Sequence, residues 1–242
     1  DLKIFSQEAG ITTNVILQYL WHKILSIYGN TKQTIVGTTI SGRNIPVDDI
    51  ESSVGLYINT LPLIVNHTAG LSVVAELQEL QANINELNSK GNINLSQIQK
   101  KGERLFDSLF VYENYPNSVN EKGYFSLKIN FIEAIEKLDY PLAVMGYEGS
   151  NRLHLEIQYA GELFDRERIK EALQIAETLI QQVVKDPNAS SNNLHILNDI
   201  NLHALVYDWN NTEKRYPTEK TITQLFEEQV EKTPDSIALV YE

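Results

Sequence analysis

The sequence VGTTISGRNIPVDDIESSVGLYINTLPLIV occupies residues 36–65 and sets the architecture of the chain around it. Residues 33–40 are rich in β-branched side chains, which predicts a buried strand. A polar loop with the sequence SGRNIP follows, and Asp48 to Ser53 suit a short helical turn. Residues 56–65 predict a second strand, in which Pro62 marks an edge or an irregularity.

Helices and further strands surround these two strands. Apolar residues recur at spacings of three and four in three segments, which predicts amphipathic helices over residues 8–28, 71–88 and 165–184. Thr12 or Thr13 can cap the first helix, and Gly29 suits the left-handed position at its end. Short apolar or alternating runs predict strands over residues 105–112, 125–131, 142–144 and 153–159. We therefore expect an α/β fold class, with a mixed sheet and flanking helices.

The composition excludes several classes of function. The chain has 242 residues and a formal net charge of −12, and an acidic chain without a basic tract is a poor candidate for binding nucleic acid or anionic membranes. The absence of cysteine excludes disulfides, thiol nucleophiles, thiolate zinc sites and iron–sulfur clusters. It is compatible with a reducing cytoplasm, which is the compartment we predict. No apolar run reaches the roughly 18 residues of a membrane span.

Motifs for catalysis are not found. The histidines are His22, His67, His154, His195 and His203, and none has the spacing of a metal site. Glycine-rich phosphate-binding motifs and a GxSxG nucleophile motif do not occur either. The position of His22 in an apolar helix favours a hydrogen-bonded structural histidine. We predict no metal site and no catalytic residue in the chain.

An ordered set of short motifs resembles the condensation domains of nonribosomal peptide synthetases. The motifs are SGR at residues 41–43, VGLYINTLPL at 54–63, LFDSLFVYENYP at 105–116, DYPLAVMGY at 139–147 and LHLEIQYAGELFD at 153–165. Residues 216–242 resemble the start of an adenylation domain, which commonly follows a condensation domain in these synthetases. The resemblance runs from about residue 3 to residue 242.

The resemblance implies a fold and an organisation. The family has two chloramphenicol-acetyltransferase-like (CoA-dependent acyltransferase) lobes, and its catalytic HHxxxDG motif belongs to the first. This chain has neither adjacent histidines nor an Asp-Gly pair. We therefore expect the C-terminal lobe in residues 1–185, an interdomain linker in 186–217 and the truncated start of an adenylation domain in 218–242. The N-terminal Asp1 and the missing motif suggest a piece of a longer protein.

The implied function is that of the acceptor-side half of a peptide-bond-forming domain in antibiotic biosynthesis, inactive alone because the catalytic histidine lies in the missing lobe. Two carrier-protein-bound thioesters would meet in a tunnel between the lobes. Residues 38–44 would form the floor loop of that tunnel, and residues 113–133 a latch that crosses to the first lobe. The tunnel and floor-loop candidates are Ser41, Gly42, Arg43, Asn59 and Thr60. The latch candidates are Asn114, Tyr115, Phe125, Leu127 and Ile129.

Two of these residues admit a structural alternative. Arg43 either anchors the floor loop by a bidentate ion pair or faces the tunnel, or it makes a structural salt bridge within the lobe. Asn59 either lines the tunnel and hydrogen-bonds a pantetheine amide, or it satisfies main-chain groups beside an irregular strand.

The resemblance also implies partners. They are the N-terminal lobe, the donor and acceptor peptidyl carrier proteins and the downstream adenylation domain, with no nucleic acid and no membrane. No cofactor is expected to bind directly, because the substrates are carried on the 4′-phosphopantetheine of the carrier proteins. The alternatives are an epimerisation or cyclisation variant of the same superfamily, a freestanding CoA-dependent acyltransferase, and a noncatalytic docking lobe.

Overall fold

A computed structural model describes residues 2–44, 47–50, 52–68, 70–99, 102–113, 139–149 and 152–241. The chain divides into two compact units, residues 1–198 and 199–242. The helices of the first unit are α1 (Leu2–Ala9), α2 (Thr13–Gly29), α3 (Val73–Ser89), α4 (Leu95–Ile98) and α5 (Arg166–Lys185). Its strands are β1 (Gln33–Ser41), β2 (Ile58–Asn66), β3 (Ser108–Glu113), β4 (Leu142–Glu148) and β5 (Leu153–Tyr159). The second unit contains α6 (Asp199–His203), a π-helical turn (Ala204–Asp208) and α7 (Ile222–Lys232).

The five strands form one mixed sheet in the order β2-β1-β3-β4-β5. The outer pairs, β1 with β2 and β4 with β5, are antiparallel. The inner pairs, β1 with β3 and β3 with β4, are parallel. Pro62, which cannot donate to a ladder, lies in the edge strand β2, as the sequence predicts. The mixed sheet with flanking helices is thus confirmed.

One face of the sheet carries the hydrophobic core. Helix α2 contacts β1 and both other long helices, α3 and α5. The sheet contributes to the core through alternating strand residues: Val36, Leu63, Val65, Phe110, Val144 and Ile157. In the described part of the chain, no helix combines the length and apolarity needed to cross a membrane.

The helix predicted over residues 8–28 corresponds to α2, and a separate helix, α1, precedes it. Gly10 has a φ of +67°, a left-handed conformation that ends α1. The Thr12 side chain then accepts a hydrogen bond from the Val15 N–H and caps α2, as predicted. The left-handed position at the end of α2 is taken by Asn30, with a φ of 44°, so the prediction for Gly29 is wrong by one residue.

The other predicted elements have mixed outcomes. The helices predicted over residues 71–88 and 165–184 are present as α3 and α5, with ends shifted by a few residues. The strands predicted over residues 105–112, 142–144 and 153–159 are present as β3, β4 and β5. The strand predicted over residues 125–131 lies outside the described residues. The apolar sequence SIALVYE predicts a strand over residues 236–242, but residues 236–241 are in neither helix nor strand. A single strand has no neighbour for its main-chain hydrogen bonds, and no neighbouring strand is described here.

The segment after α5 packs on the first unit. The Val73 N–H donates to the Ala189 oxygen, the Val74 N–H to the Pro187 oxygen and the Ser191 N–H to the Leu71 oxygen. The beginning of the predicted linker, residues 186–217, is therefore ordered against the first residues of α3 and the loop before it. The assignment of residues 218–242 to a new domain stays a prediction.

Candidate functional site

The structure brings the five predicted tunnel and floor-loop residues together at one end of the β1–β2 pair. Thr60 pairs with Thr39, and Asn59 pairs with Ile40. Ser41 is the last residue of β1, and Gly42 and Arg43 continue it into a turn of 3-10 helix. The antiparallel register thus places two sequence motifs, SGR and NT, side by side although more than a dozen residues separate them.

Gly42 allows a close main-chain approach. Its N–H donates to the Tyr57 oxygen at 2.8 Å, and a Cβ on this residue would lie 2.5 Å from that oxygen. The Ser41 hydroxyl accepts a hydrogen bond from the Arg43 N–H at 3.3 Å, which closes the turn. The glycine of the SGR motif is therefore required by packing against the main chain of residue 57.

The Arg43 guanidinium braces the loop over residues 47–57. Its Nη1 donates to the Ile50 oxygen at 2.5 Å and to the Ser53 oxygen at 2.9 Å. The guanidinium carbon also lies 4.5 Å from the centroid of the Tyr57 ring, a cation–π contact. The Tyr57 and Ser53 hydroxyls are 2.5 Å apart. Arg43 therefore connects Ile50, Ser53 and Tyr57 through two main-chain carbonyl groups and an aromatic ring, and a role in the floor of a tunnel stays a prediction.

The side-chain amide of Asn59 forms hydrogen bonds with main-chain groups. Its Nδ2 donates to the Gly91 oxygen at 2.9 Å and to the Ile93 oxygen at 2.7 Å. Its Oδ1 accepts a hydrogen bond from the Thr60 N–H at 2.9 Å. These contacts support the structural alternative for Asn59, because both N–H donors already have acceptors. A role for this side chain in lining a tunnel stays a prediction.

The braced loop exposes apolar side chains. Val54 is 100% exposed, Leu56 89% and Ile58 60%. Apolar groups held together in water favour a covered surface. Residues 38–60 include no histidine. The hydrogen-bonding groups of this site suit a positioning role, and histidine, the most frequent general base, does not occur in its sequence.

The remaining predicted residues have a clear status. The latch candidates Asn114, Tyr115, Phe125, Leu127 and Ile129 lie outside the described residues. Tyr57, which contacts both the SGR turn and the Arg43 guanidinium, was not identified from the sequence. Its position inside the motif VGLYINTLPL was the available indication, since an aromatic ring next to a polar loop often packs on a cation.

The buried histidine of α2 is hydrogen-bonded, as its apolar surroundings predict. His22 is fully buried, and its Nδ1 lies 2.7 Å from the Thr34 hydroxyl, which in turn lies 3.0 Å from Nε2 of His67. Burial lowers the pKa of His22 to about 3, with His67 adding to the shift. The ring is therefore neutral at pH 7. Among the described residues, no cluster of three or more histidine, aspartate or glutamate side chains is placed to hold a metal ion.

Comparison with known proteins identifies the same family that the motifs resemble. The sequence model of the condensation domain matches residues 1–206. N-(5-amino-5-carboxypentanoyl)-L-cysteinyl-D-valine synthase of Amycolatopsis lactamdurans is 41% identical over 240 residues, which are 96% of this chain and 6% of that protein. The chain thus spans a small part of that relative's length.

Solved structures show the fold. The first condensation domain of the CDA synthetase superimposes with a TM-score of 0.63 and 11% identity, over 80% of this chain and 44% of that one. The X-domain from teicoplanin biosynthesis, solved in complex with OxyB, superimposes with a TM-score of 0.65 and 18% identity, over 82% of this chain and 45% of that one. The fold is therefore that of a chloramphenicol-acetyltransferase-like lobe.

Proposed function

Because this chain belongs to the condensation-domain family of nonribosomal peptide synthetases, we propose that it is the acceptor-side half of a domain that forms peptide bonds between carrier-bound thioesters. The observation that carries the proposal is the extent of the structural match. Most of this chain superimposes on a solved condensation domain, yet it accounts for only 44% of that structure. The sequence also has no HHxxxDG motif. Both observations support one lobe without the catalytic histidine.

The candidate site fits a positioning role in this reaction. Peptide-bond formation requires the acceptor amine to meet the donor thioester carbonyl in an aligned geometry, and alignment alone supplies a large share of the rate. Arg43 and Tyr57 hold the loop that would form part of the tunnel wall. The base that receives the proton of the amine would come from the upstream lobe. On this proposal the isolated chain binds but does not turn over.

The partners follow from the same proposal. The exposed apolar side chains Val54, Leu56 and Ile58 suit burial against the upstream lobe. Donor and acceptor carrier proteins would present their substrates on pantetheine arms from opposite sides. Residues 218–242 would begin an adenylation domain, since relatives align over nearly the whole of this chain whereas the condensation model ends at residue 206.

Complementation tests the proposal. The upstream lobe is expressed separately, mixed with this chain or fused to it, and supplied with carrier proteins loaded with aminoacyl thioesters. We expect dipeptidyl thioester, detected by mass spectrometry, only when both lobes are present. No product from a fused and folded pair contradicts the peptide-bond-forming function, and product from this chain alone contradicts the claim that it lacks the catalytic base.

A noncatalytic docking lobe is the second candidate. One specific observation favours it: a solved X-domain with the same fold was crystallised in complex with OxyB. A docking lobe would bind a partner protein without peptide formation even when both lobes are present. Inactivity of the fused pair, together with retained binding of a carrier protein in calorimetry, would select this candidate over the first.

A further inference from the structure

A polar cleft lies at the opposite end of the β1–β2 pair from the candidate site. It has a volume of about 450 Å³ and lies between the last turns of α2, the residues that follow β2 and the segment that follows α5. Six of its lining residues have polar side chains that carry the argument: Lys23, Lys32, His67, Glu76, Ser191 and Asn192. All six belong to the first compact unit.

Lys23 is a buried cation with unused donors. Its side chain is only 11% exposed, and its closest carboxylate oxygen, Oε2 of Glu76, lies 4.0 Å from Nζ. That distance gives charge pairing but exceeds a hydrogen bond. No acceptor in the described part of the chain lies within hydrogen-bonding distance of Nζ. An ammonium group has three N–H donors, so those of Lys23 are available to an acceptor that enters the cleft.

Glu76 does not accept a hydrogen bond from Lys23, because 4.0 Å separates Nζ from Oε2, but each of its carboxylate oxygens binds a hydroxyl group. Tyr19 donates to Oε2 at 2.7 Å, and Ser191 donates to Oε1 at 2.8 Å. Burial lowers the pKa of Lys23, while the Glu76 carboxylate opposes this shift and favours the charged form. The carboxylate therefore offsets part of the effect of burial on Lys23 without accepting a hydrogen bond from it.

The rest of the wall also favours an anion. Lys32 adds a second positive charge, so the lining lysines outnumber the one lining carboxylate. The Asn192 amide adds neutral donors. Burial lowers the pKa of His67, with Lys23 contributing, which favours the neutral form of a ring that also lines the cleft. A ligand with a negatively charged oxygen would meet donors from three different segments of the chain.

We propose that this cleft binds a small oxyanion, a carboxylate or a phosphate group, with Lys23 as its main ligand. The proposal goes beyond peptide-bond formation, because the cleft and the candidate site lie at opposite ends of β1 and β2. A charge-assisted hydrogen bond from a buried ammonium is stronger than one at the surface. Loss of Lys23 should therefore weaken binding by at least about tenfold.

Titration of the full chain tests the proposal. Sodium phosphate and sodium acetate are added in separate arms at constant ionic strength, with sodium chloride as the reference, and amide signals are followed by nuclear magnetic resonance. We expect saturable shifts at Lys23, His67 and Asn192, and the arm that saturates at lower concentration identifies the preferred group. Lys23→Met should weaken the response, whereas Lys3→Met, whose side chain is 70% exposed, should not.

Two further variants keep the test decisive if Lys23→Met does not fold. Lys32→Met and Asn192→Ala remove donors from the cleft wall and leave the contacts of Glu76 with Tyr19 and Ser191 in place. Both should weaken binding several-fold. Shifts that stay linear and match those of chloride, or affinities unchanged in every folded cleft variant, would overturn the proposal.

Discussion

Replacement of Arg43 by lysine should loosen the loop over residues 47–57 without unfolding the lobe. The lysine keeps the charge, but one ammonium cannot both reach the Ile50 and Ser53 oxygens and cover the Tyr57 ring as the planar guanidinium does. One lost charge-assisted hydrogen bond costs about 1.5 kcal/mol at a partly exposed site. The lost ring contact adds about 0.5 kcal/mol. A total of about 2 kcal/mol raises the open population of the loop roughly thirtyfold.

Hydrogen exchange followed by mass spectrometry measures this opening directly. Peptides that cover residues 47–57 should exchange about thirtyfold faster in Arg43→Lys, while peptides from α2 and α5 keep their rates. Arg166→Lys is the matched control, since Arg166 is an exposed arginine at the start of α5. Unchanged exchange in Arg43→Lys, or equal loosening of the loop in the control, would refute the bracing role.

Three further predictions concern stability. Gly37→Ala should lower the free energy of unfolding, measured in urea, by about 1–3 kcal/mol, because an added Cβ would overlap the ring of Phe106. Gly161→Ala should be near neutral, because nothing lies within 4 Å of the added Cβ. Asn59→Ala should lower the free energy of unfolding by about 1 kcal/mol or more and speed hydrogen exchange in residues 90–94, which contain the two carbonyl groups that accept from Asn59. Asn92→Ala, in the same loop, should do neither. Equal effects of the two variants would contradict the structural role of Asn59. The pKa of His22 is about 3 in the folded state and 6.5 in the unfolded state, so between these pH values only the unfolded state binds the proton. The free energy of unfolding is therefore highest above pH 6.5 and falls by about 1.4 kcal/mol per pH unit below it. A flat urea-unfolding profile between pH 7.5 and 5 would be inconsistent with a neutral His22 in the core.

Local periodicity made most of the fold predictable. The stripes of α3 and α5 and the alternation of β5 repeat over enough residues to identify both the element and its buried face. Helix α1 was not predicted, and the helix predicted from residue 8 begins only at Thr13, after the left-handed Gly10. The ends of elements depend on caps such as Asn30, which a neighbouring glycine can mimic in sequence.

Contacts between segments that are distant in the sequence could not be predicted. Asn59 meets carbonyls 32 and 34 positions away, and Ser191 meets Glu76 across 115 positions. The sequence around Asn59 or Ser191 does not specify such a partner, because contacts at this separation depend on how the helices pack on the sheet. For Arg43 the sequence left an anchoring role and a salt bridge open, and only the structure shows the carbonyls and the ring that it contacts.

The central claim is that this chain shapes the site while another lobe performs the proton transfer. The most direct test of this claim is to locate the catalytic base. The measurement is the rate of dipeptidyl thioester formation by the fused two-lobe protein, with the second histidine of the upstream HHxxxDG motif intact or replaced by alanine. The account predicts product from the intact fusion and a loss of at least about a hundredfold in the variant. An unchanged rate in the variant would contradict it, since the base would then lie in this chain.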